Sequence, residues 1–241
     1  MLPMDFPEIV TFQGSKTLRK SIYAMDEVGR GPIAGPVVSC CVLFSGNKDE
    51  FESLVAALGD HGVTDSKKLS TKKRLRILEH WGIAIEQTNC RQRYEVETPS
   101  GRLSFFLYDN DHSVIDEINI LNASLDSMAR ASLSLGLTKD DHFLVDGNKI
   151  PHELREYPFG EAIIKGDSKS PLIAMASIIA KEWRDSYMSQ LALQYPHYGF
   201  EKHAGYPTAH HKEAIKEYGA CPFHRKTFKG VKEYVGQGRE T

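Results

Sequence analysis

The sequence has few cysteines, little net charge and no long apolar run. Its 241 residues include four cysteines, and none of them shows the C-x-x-C spacing typical of zinc or redox motifs. Thirty basic and 32 acidic side chains leave a formal net charge of −2, so the molecule as a whole exerts no long-range attraction on a polyanion. Any binding of nucleic acid must therefore depend on a local cluster of positive charge.

Signals for export and for membrane insertion are also missing. The first ten residues, MLPMDFPEIV, lack the basic flank and apolar segment of a secretory signal peptide. No apolar run reaches the roughly 18 to 20 residues that a membrane helix needs. Adjacent Cys40 and Cys41 lie in an apolar stretch, which is typical of buried thiols rather than of a disulfide framework. We therefore expect a cytoplasmic protein that does not bind membranes.

The order of apolar patterns predicts an α/β fold. Apolar residues make up 41% of the chain, which is sufficient for one sizeable core. Strand patterns occur at residues 21–25, 37–44 and 83–87, at two short strands around a Pro-Ser-Gly turn within 89–111, and at short strands that stop at Asp146 and shortly before Asp167. Helical spacing occurs at residues 51–58, 71–81, 114–135, after Ser170, and at 208–218.

Four acidic side chains follow or end predicted strands: Asp26, Glu27, Asp146 and Asp167. In open α/β sheets functional groups gather at strand ends. Clustered carboxylates repel one another unless a cation compensates them, so convergence of the four would call for a hard divalent ion such as Mg²⁺. Taken alone, Asp146 before a glycine is typical of an ordinary turn, and Asp167 could be a helix-start acid.

Adjacent Asp26 and Glu27 present a geometric difficulty. Neighbouring residues on a regular strand point to opposite faces of the sheet, so we expect the strand to break there if both carboxylates serve one site. The Gly29-Arg30-Gly31 turn that follows makes such a break plausible. Glycines let backbone N–H groups approach a sugar-phosphate closely, and an arginine fork can hold a phosphate. A plain glycine turn between two strands is the alternative.

Two further segments combine positive charge with hydroxyl or aromatic groups. The segment TDSKKLSTKKRLR carries Ser66, Lys67 and Lys68 beside a predicted helix start, where free backbone N–H groups can bind phosphate. The C-terminal tail carries Tyr206, Arg225 and Lys226 among several histidines, a mixture suited to sugar and backbone contacts. None of the ten histidines shows H-x-x-x-H or H-E-x-x-H spacing, so a zinc site is not predicted.

Seven blocks, in order, resemble the type 2 ribonuclease H (ribonuclease HII) family: MDEVGRGPIAGPVV, TDSKKL, EINILNAS, LVDGNK, IIKGDSKSPLIAMASIIAKEWRD, YPHYGFEKHAGYPTAHH and HRKTF. The resemblance implies a ribonuclease H-like fold, with a central mixed β-sheet flanked by helices and a C-terminal helical segment that helps to hold the substrate. It also implies endonucleolytic cleavage of RNA in RNA–DNA hybrids and at single ribonucleotides in duplex DNA, with Mg²⁺ or Mn²⁺.

The resemblance also assigns roles to individual residues. Asp26, Glu27, Asp146 and Asp167 match the family's metal-binding carboxylates. Gly29, Arg30 and Gly31 match a motif that reads the ribonucleotide 2′-hydroxyl, and Tyr206 matches a tyrosine that packs on the neighbouring deoxyribose. Ser66, Lys67, Lys68, Arg225 and Lys226 match positions that face the nucleic-acid backbone. The implied mechanism is in-line attack by water on the phosphate 5′ to a ribonucleotide, which leaves 3′-hydroxyl and 5′-phosphate ends.

The expected organisation is an N-terminal extension at 1–19, a catalytic core at 20–195 and a C-terminal helical segment at 196–241. Residues 89–111 are longer than the connection expected from the family and predict an inserted hairpin. We expect a monomer whose partners are RNA–DNA hybrids and ribonucleotide-containing duplexes. Two alternatives remain at this point: a magnesium-dependent phosphatase or phosphotransferase, and a non-catalytic hybrid-binding module, whose carboxylates would repel the phosphates it must hold.

Overall fold

A computed structural model of the protein describes residues 21–99 and 101–235. In these residues six strands form one mixed sheet in the order β3-β4-β2-β1-β5-β6. The pairs β3–β4, β4–β2 and β2–β1 are antiparallel, whereas the pairs β1–β5 and β5–β6 are parallel. The strands are β1 (Ser21–Val28), β2 (Val37–Ser45), β3 (Arg93–Thr98), β4 (Gly101–Asn110), β5 (His142–Asp146) and β6 (Gly160–Ile163). This sheet, with helices on both faces, confirms the predicted fold class.

Three of the helices begin at a serine or threonine that caps them. Ser70, Ser170 and Thr208 each accept a backbone N–H bond at the start of a helix, which satisfies a donor that the first turn leaves free. No helix in the described ranges is long and apolar enough to cross a membrane. The helices are α1 (Lys48–Asp60), α2 (Thr71–His80), α3 (His112–Ile118), α4 (Ile120–Ser134), α5 (Pro171–Gln194), α6 (Phe200–His203) and α7 (Ala209–Tyr218).

The two faces of the sheet are covered by different helices. Because side chains alternate along a strand, Ile22 and Ala24 of β1 enter one apolar cluster with α1, α2 and α5. Tyr23 and Met25 enter a second cluster, with α4 on the other face. The central strands are therefore buried on both sides, and the ends of β1 and β5 are held at a fixed position.

The C-terminal segment has an apolar cluster of its own. This cluster joins Ile33 and Ala34, which follow β1, to the second half of α5 and to the tail residues Phe200 and Ile215. The predicted helix at 208–218 is confirmed as α7. The tail is therefore packed against the turn after β1.

The structure differs from the sequence prediction at two elements. Residues 83–87, predicted as a strand, contain a single 3₁₀ turn at Ile85–Gln87. The alternating side chains of Ile83 and Ile85 are buried in the core although the backbone that carries them is a loop. The helix predicted over 114–135 is divided between α3 and α4 at Asn119, where φ is +66°. The Asn119 side chain accepts N–H bonds from Leu121 and Asn122 and so starts a new helix.

The hairpin predicted within 89–111 is present as β3 and β4. Strand β4 pairs with β2 along its length, from Val37 opposite Asn110 to Ser45 opposite Arg102, whereas β3 pairs with β4 and ends the sheet order on that side. Strand β4 is therefore part of the central sheet, and β3 covers its edge.

Candidate active site

The four predicted carboxylates lie at one end of the sheet. Strands β1 and β5 run parallel, and their last paired residues are Met25 and Val145. Asp26 and Asp146 directly follow this pair, so the parallel strands deliver both carboxylates to the same edge. Asp167 lies in the 3₁₀ turn Gly166–Ser168 after β6, the next strand in the sheet.

A hydrogen bond ties Asp146 to the turn that carries Asp167. The Gly166 backbone N–H donates to Asp146 Oδ1 over 2.6 Å. Lys165 begins this turn in the left-handed region, with φ of +57°. The chain therefore folds back toward β5 immediately after β6.

The predicted break between Asp26 and Glu27 is wrong, because β1 remains a strand to Val28 and stays paired with β2. Beyond Met25, however, β1 has no further pairs with β5. The strand end is open on that side, and the Glu27 backbone N–H donates to Asp26 Oδ1 over 2.8 Å. The charge of Asp146 raises the pKa of both Asp26 and Glu27, so both carboxylates lie close enough to Asp146 to interact with it although the strand does not break.

The ionisation of these groups shows how closely they interact. Burial raises the pKa of Asp26 well above its ordinary value, and the charges of Glu27 and Asp146 raise it further. Burial also raises the pKa of Glu27 to about 7, against the opposing effect of Arg30. The pKa of Asp167 is raised by burial and then by Asp146. The folded chain holds carboxylates at a cost that a bound cation would relieve.

Two basic side chains partly offset this negative charge. Arg30 Nη1 lies 3.4 Å from Glu27 Oε1, and Lys67 Nζ lies 4.0 Å from Asp167 Oδ2. Although burial lowers the pKa of Lys67, the charges of Asp167 and Asp26 outweigh it, so that the pKa is raised. Two flexible cations do not neutralise four carboxylates.

The donor chemistry fits a hard divalent cation. Carboxylate oxygens are ligands that Mg²⁺ prefers, and Mg²⁺ in enzymes is commonly held by one or two carboxylates together with waters and substrate phosphates. Within residues 21–99 and 101–235, no three histidine, cysteine or acidic side chains are arranged so that they could hold one ion. Any divalent ion held by these carboxylates would need water and substrate oxygens to complete its coordination.

Sequence reasoning missed two residues of this site. The charge of Asp65 helps to raise the pKa of Asp167, and the Asp65 side chain caps the 3₁₀ turn that carries Lys67. The Ser177 hydroxyl forms a hydrogen bond with Asp26 that opposes the rise in its pKa. Asp65 belongs to the quoted TDSKKL block, and Ser177 is a hydroxyl within an apolar stretch of α5; both signals were available.

The turn after β1 requires glycine at position 29 and packs Gly31 against an aromatic ring. Gly29 has φ of +96°, and a Cβ there would lie 2.7 Å from the Pro36 carbonyl oxygen. A Cβ on Gly31 would lie 3.1 Å from Cε1 of Tyr206. The Tyr206 ring thus packs against the Gly31 backbone, and the structure brings the glycine turn and this tyrosine together, with the carboxylates of β1 immediately before the turn.

Arg225 occupies a different place from the one the sequence predicted. Its side chain is 0% exposed, and its guanidinium donates to backbone carbonyls of the turn rather than facing a nucleic-acid strand. The accepting carbonyls belong to Gly29, Arg30, Pro32, Gly35 and Pro36. Arg225 therefore supports the turn from inside, because a planar five-donor fork can satisfy several carbonyls at once.

The other basic and hydroxyl candidates divide between surface and interior. The Ser66 hydroxyl is buried and lies 2.9 Å from the Ser177 hydroxyl, so it links the TDSKKL segment to α5 instead of facing solvent. Lys67 and Lys68 are largely exposed, as is Lys226. Of these predicted substrate residues, the three lysines are accessible and Ser66 is not.

Replacing Glu27 with glutamine is expected to stabilise the metal-free protein more at about pH 8 than at about pH 5. The folded-state pKa of about 7 exceeds the ordinary value of 4.5, so the folded protein binds more protons than the unfolded chain between these values. Its stability therefore falls as pH rises through this window, and glutamine removes that loss. We expect a difference on the order of 2 kcal/mol, at about 1.4 kcal/mol per pKa unit, in urea unfolding with EDTA.

The matched control is Glu79→Gln at an exposed position on α2. It should change stability by a similar, small amount at both pH values. If the stabilisation by Glu27→Gln were no larger at about pH 8 than at about pH 5, the raised pKa of Glu27 in the folded protein would be contradicted.

Known proteins match this chain over most of its length. The family model described as Ribonuclease HII matches residues 24–231. Ribonuclease HII of Chlamydia muridarum is 43% identical over 217 residues, covering 90% of this chain and 86% of that protein. Ribonuclease HII of Chlorobium chlorochromatii is 41% identical over 215 residues, covering 86% of this chain and 89% of that protein.

A solved structure shows the same fold. Ribonuclease H2 from Pyrococcus horikoshii superposes with a TM-score of 0.66 at 24% identity, covering 92% of this chain and all of that one. The family match covers most of the chain, and the aligned relatives are matched over most of their own length. The chain therefore belongs to the ribonuclease HII family.

Proposed function

We propose that the protein hydrolyses the RNA strand of RNA–DNA hybrids and also cuts duplex DNA on the 5′ side of embedded ribonucleotides. Membership of the ribonuclease HII family makes it an endonuclease of the ribonuclease H type. The observation that carries the finer proposal is that the charges of Glu27, Asp146 and Asp167 all raise the pKa of buried Asp26. These four carboxylates lie beside a glycine turn against which Tyr206 packs.

The carboxylates of Asp26, Glu27, Asp146 and Asp167 would hold the divalent ions. When bound, Mg²⁺ or Mn²⁺ supplies an activated water and compensates the charge on the leaving oxygen. Bst-RNase HIII, a structure described in complex with Mn²⁺, superposes on this chain with a TM-score of 0.59 at 17% identity, covering 96% of this chain and 73% of that one. It shares the fold, and the identity of the ion is part of our proposal.

The chain's own residues orient the reacting phosphate. Asp26 is buried and is held by the Glu27 backbone N–H and by the Ser177 hydroxyl, so its oxygens have a fixed direction. Lys67 Nζ lies near Asp167 with its side chain 80% exposed, where it can contact a phosphate oxygen. A fixed carboxylate and a mobile cation together would align the phosphodiester before attack.

Discrimination between RNA and DNA depends on a sugar oxygen. Gly31 is exposed and the Tyr206 ring packs beside it, and a ribonucleotide 2′-hydroxyl can both donate and accept hydrogen bonds. We infer that the turn contacts this hydroxyl while Tyr206 packs on the next, deoxy sugar. Such a site would recognise an RNA-to-DNA junction without reading bases.

We also place the protein in the cytoplasm as a monomer. Its Cys40, Cys41, Cys90 and Cys221 are free thiols, which suits a reducing compartment. A binding module without catalysis is disfavoured, because buried carboxylates repel the phosphates that such a module must hold.

The direct test is incubation with a DNA duplex that contains one ribonucleotide, labelled at either end. With Mg²⁺ or Mn²⁺ we expect one nick on the 5′ side of the ribonucleotide, with 3′-hydroxyl and 5′-phosphate ends, and with EDTA we expect none. An all-DNA duplex is the control. Release of phosphate from a simple phosphate monoester without any nick would overturn the proposal in favour of a phosphatase.

A further inference from the structure

The C-terminal segment contains two histidines that are buried against each other. His211 on α7 and His224 after it are both 0% exposed, and their Nε2 atoms lie 3.0 Å apart. On the other side of each ring, His211 Nδ1 lies 2.8 Å from the Tyr206 carbonyl oxygen, and the Cys221 backbone N–H donates to His224 Nδ1 over 3.0 Å. The two rings thus connect Cys221 to Tyr206.

The partners determine where the protons lie. The Tyr206 carbonyl only accepts, so His211 Nδ1 carries a proton and donates to it. A neutral His211 then has a lone pair on Nε2, which accepts from His224 Nε2–H. His224 Nδ1 lies 3.0 Å from the Cys221 backbone nitrogen and 3.3 Å from the Cys221 carbonyl oxygen. Because the His224 proton is on Nε2, Nδ1 accepts from the Cys221 N–H and does not donate to the carbonyl. Every hydrogen bond of this series therefore points toward Tyr206.

Both rings are neutral at physiological pH. Burial lowers the pKa of His211 to about 4 and that of His224 to about 3. His203 stacks on His211 with ring centroids 4.7 Å apart, and it is also held, since its Nε2 lies 2.9 Å from the Tyr198 carbonyl. The chain of hydrogen bonds therefore keeps one direction and one pair of tautomers.

The same segment also holds the glycine turn. The Gly35 N–H donates to the Phe223 carbonyl and the Arg225 N–H donates to the Ile33 carbonyl, each over 2.9 Å, on either side of a bridge between Ala34 and His224. Residues 221–225 thus hold the glycine turn through backbone hydrogen bonds, and they hold Tyr206 through the two histidine rings. Two groups that come from distant parts of the sequence share one support.

We propose that His211 and His224 are positioning residues that hold Tyr206 over Gly31, and that they thereby set the preference for a single embedded ribonucleotide over a continuous hybrid. This rests on the junction role given to Tyr206 above. The Tyr206 ring is 44% exposed, so its direction depends strongly on its backbone. That backbone is held at the carbonyl by His211 and by the Thr208 N–H over 2.8 Å.

The test compares two substitutions of one residue. In His211→Asn the amide nitrogen replaces Nδ1 and keeps a donor for the Tyr206 carbonyl. In His211→Gln the amide reaches toward His224, and the donor to Tyr206 is lost. Values of kcat and KM are measured on a duplex with one ribonucleotide and on a continuous RNA–DNA hybrid, with Tyr206→Ala as the reference.

We expect His211→Gln to lower kcat/KM for the single ribonucleotide, relative to the hybrid, by about tenfold, because small misplacements of a positioning group cost this much or more. His211→Asn should stay within about threefold of the unchanged protein in the same ratio. Equal losses on both substrates, or equal ratios in the two variants, would show a merely structural role and overturn the inference.

The reference variant separates this inference from the proposed function. If Tyr206→Ala leaves the substrate ratio unchanged, the junction role itself fails. If Tyr206→Ala changes the ratio and His211→Gln does not, the junction role of Tyr206 stands and only the positioning role of the two histidines fails. If His211→Gln does not fold, two variants of His224 provide the same comparison. His224→Gln keeps a donor toward His211, and His224→Leu removes it. We then expect the loss of preference for the single ribonucleotide in His224→Leu and not in His224→Gln, and equal ratios in the two variants would overturn the inference.

Discussion

Replacing Asp26 with asparagine is expected to lower the rate of cleavage by roughly 10³-fold or more, equivalent to about 4 kcal/mol in the activation barrier. Asp26 is the most confined of the four carboxylates, since burial, Glu27 and Asp146 all raise its pKa. An amide in its place has the same shape but cannot neutralise a divalent cation. The measurement is the initial rate on the single-ribonucleotide duplex at several Mg²⁺ and Mn²⁺ concentrations.

The same substitution should not unfold the protein. Removing a buried charge from a repelling cluster relieves strain, so the metal-free Asp26→Asn protein should melt at the same or a higher temperature. Asp60→Asn, at the exposed end of α1, is the matched control and should retain full activity. Near-normal turnover by Asp26→Asn would remove the central carboxylate from the mechanism.

Replacing Arg225 with lysine is expected to destabilise the protein by about 3 kcal/mol and to abolish most cleavage. The buried guanidinium donates to carbonyls on both sides of the turn, from Gly29 to Pro36. An ammonium carries its donors on a single atom and cannot reach them together. Burial and the charge of Arg184 already lower the pKa of Arg225 to about 9. A buried cation that leaves some of these carbonyls without a hydrogen bond therefore lowers the stability of the folded protein.

Stability for this prediction is measured by urea unfolding, and activity is measured on both substrates at a temperature where the variant remains folded. The exposed Arg76→Lys on α2 makes the same chemical change without burial and should alter neither quantity appreciably. If Arg225→Lys were as stable as the unchanged protein, the five-carbonyl support of the turn would be wrong.

Local patterns in the sequence predicted most elements that carry the site. Strand patterns located β1 and β2, and helical spacing located α2, α5 and α7, whose first turns are capped by serine or threonine in the structure. These signals are local, because strand periodicity and capping depend on residues within a few positions of each other. For the same reason the sequence alone placed four acidic residues at or near strand ends.

Long helices and short apolar runs were harder to predict. A single residue in a left-handed conformation, Asn119, divides α3 from α4. The apolar alternation at residues 83–87 matched a strand, yet Ile83 and Ile85 are buried from a loop. In both cases the apolar periodicity indicated which side chains are buried, but it did not indicate the backbone conformation of the residues that carry them.

The sequence by itself determined the class of elements, the acidic residues near the ends of β1, β5 and β6, and the glycines of the turn. Only the tertiary structure decided that Ser66 and Arg225 are interior residues and that His211 and His224 form a pair. The Arg225 side chain finds its partner at Gly29 across 196 positions, and the Ser66 hydroxyl meets Ser177 across 111. Burial and hydrogen-bond partners of this kind depend on which distant segments pack together, and no local pattern contains that information.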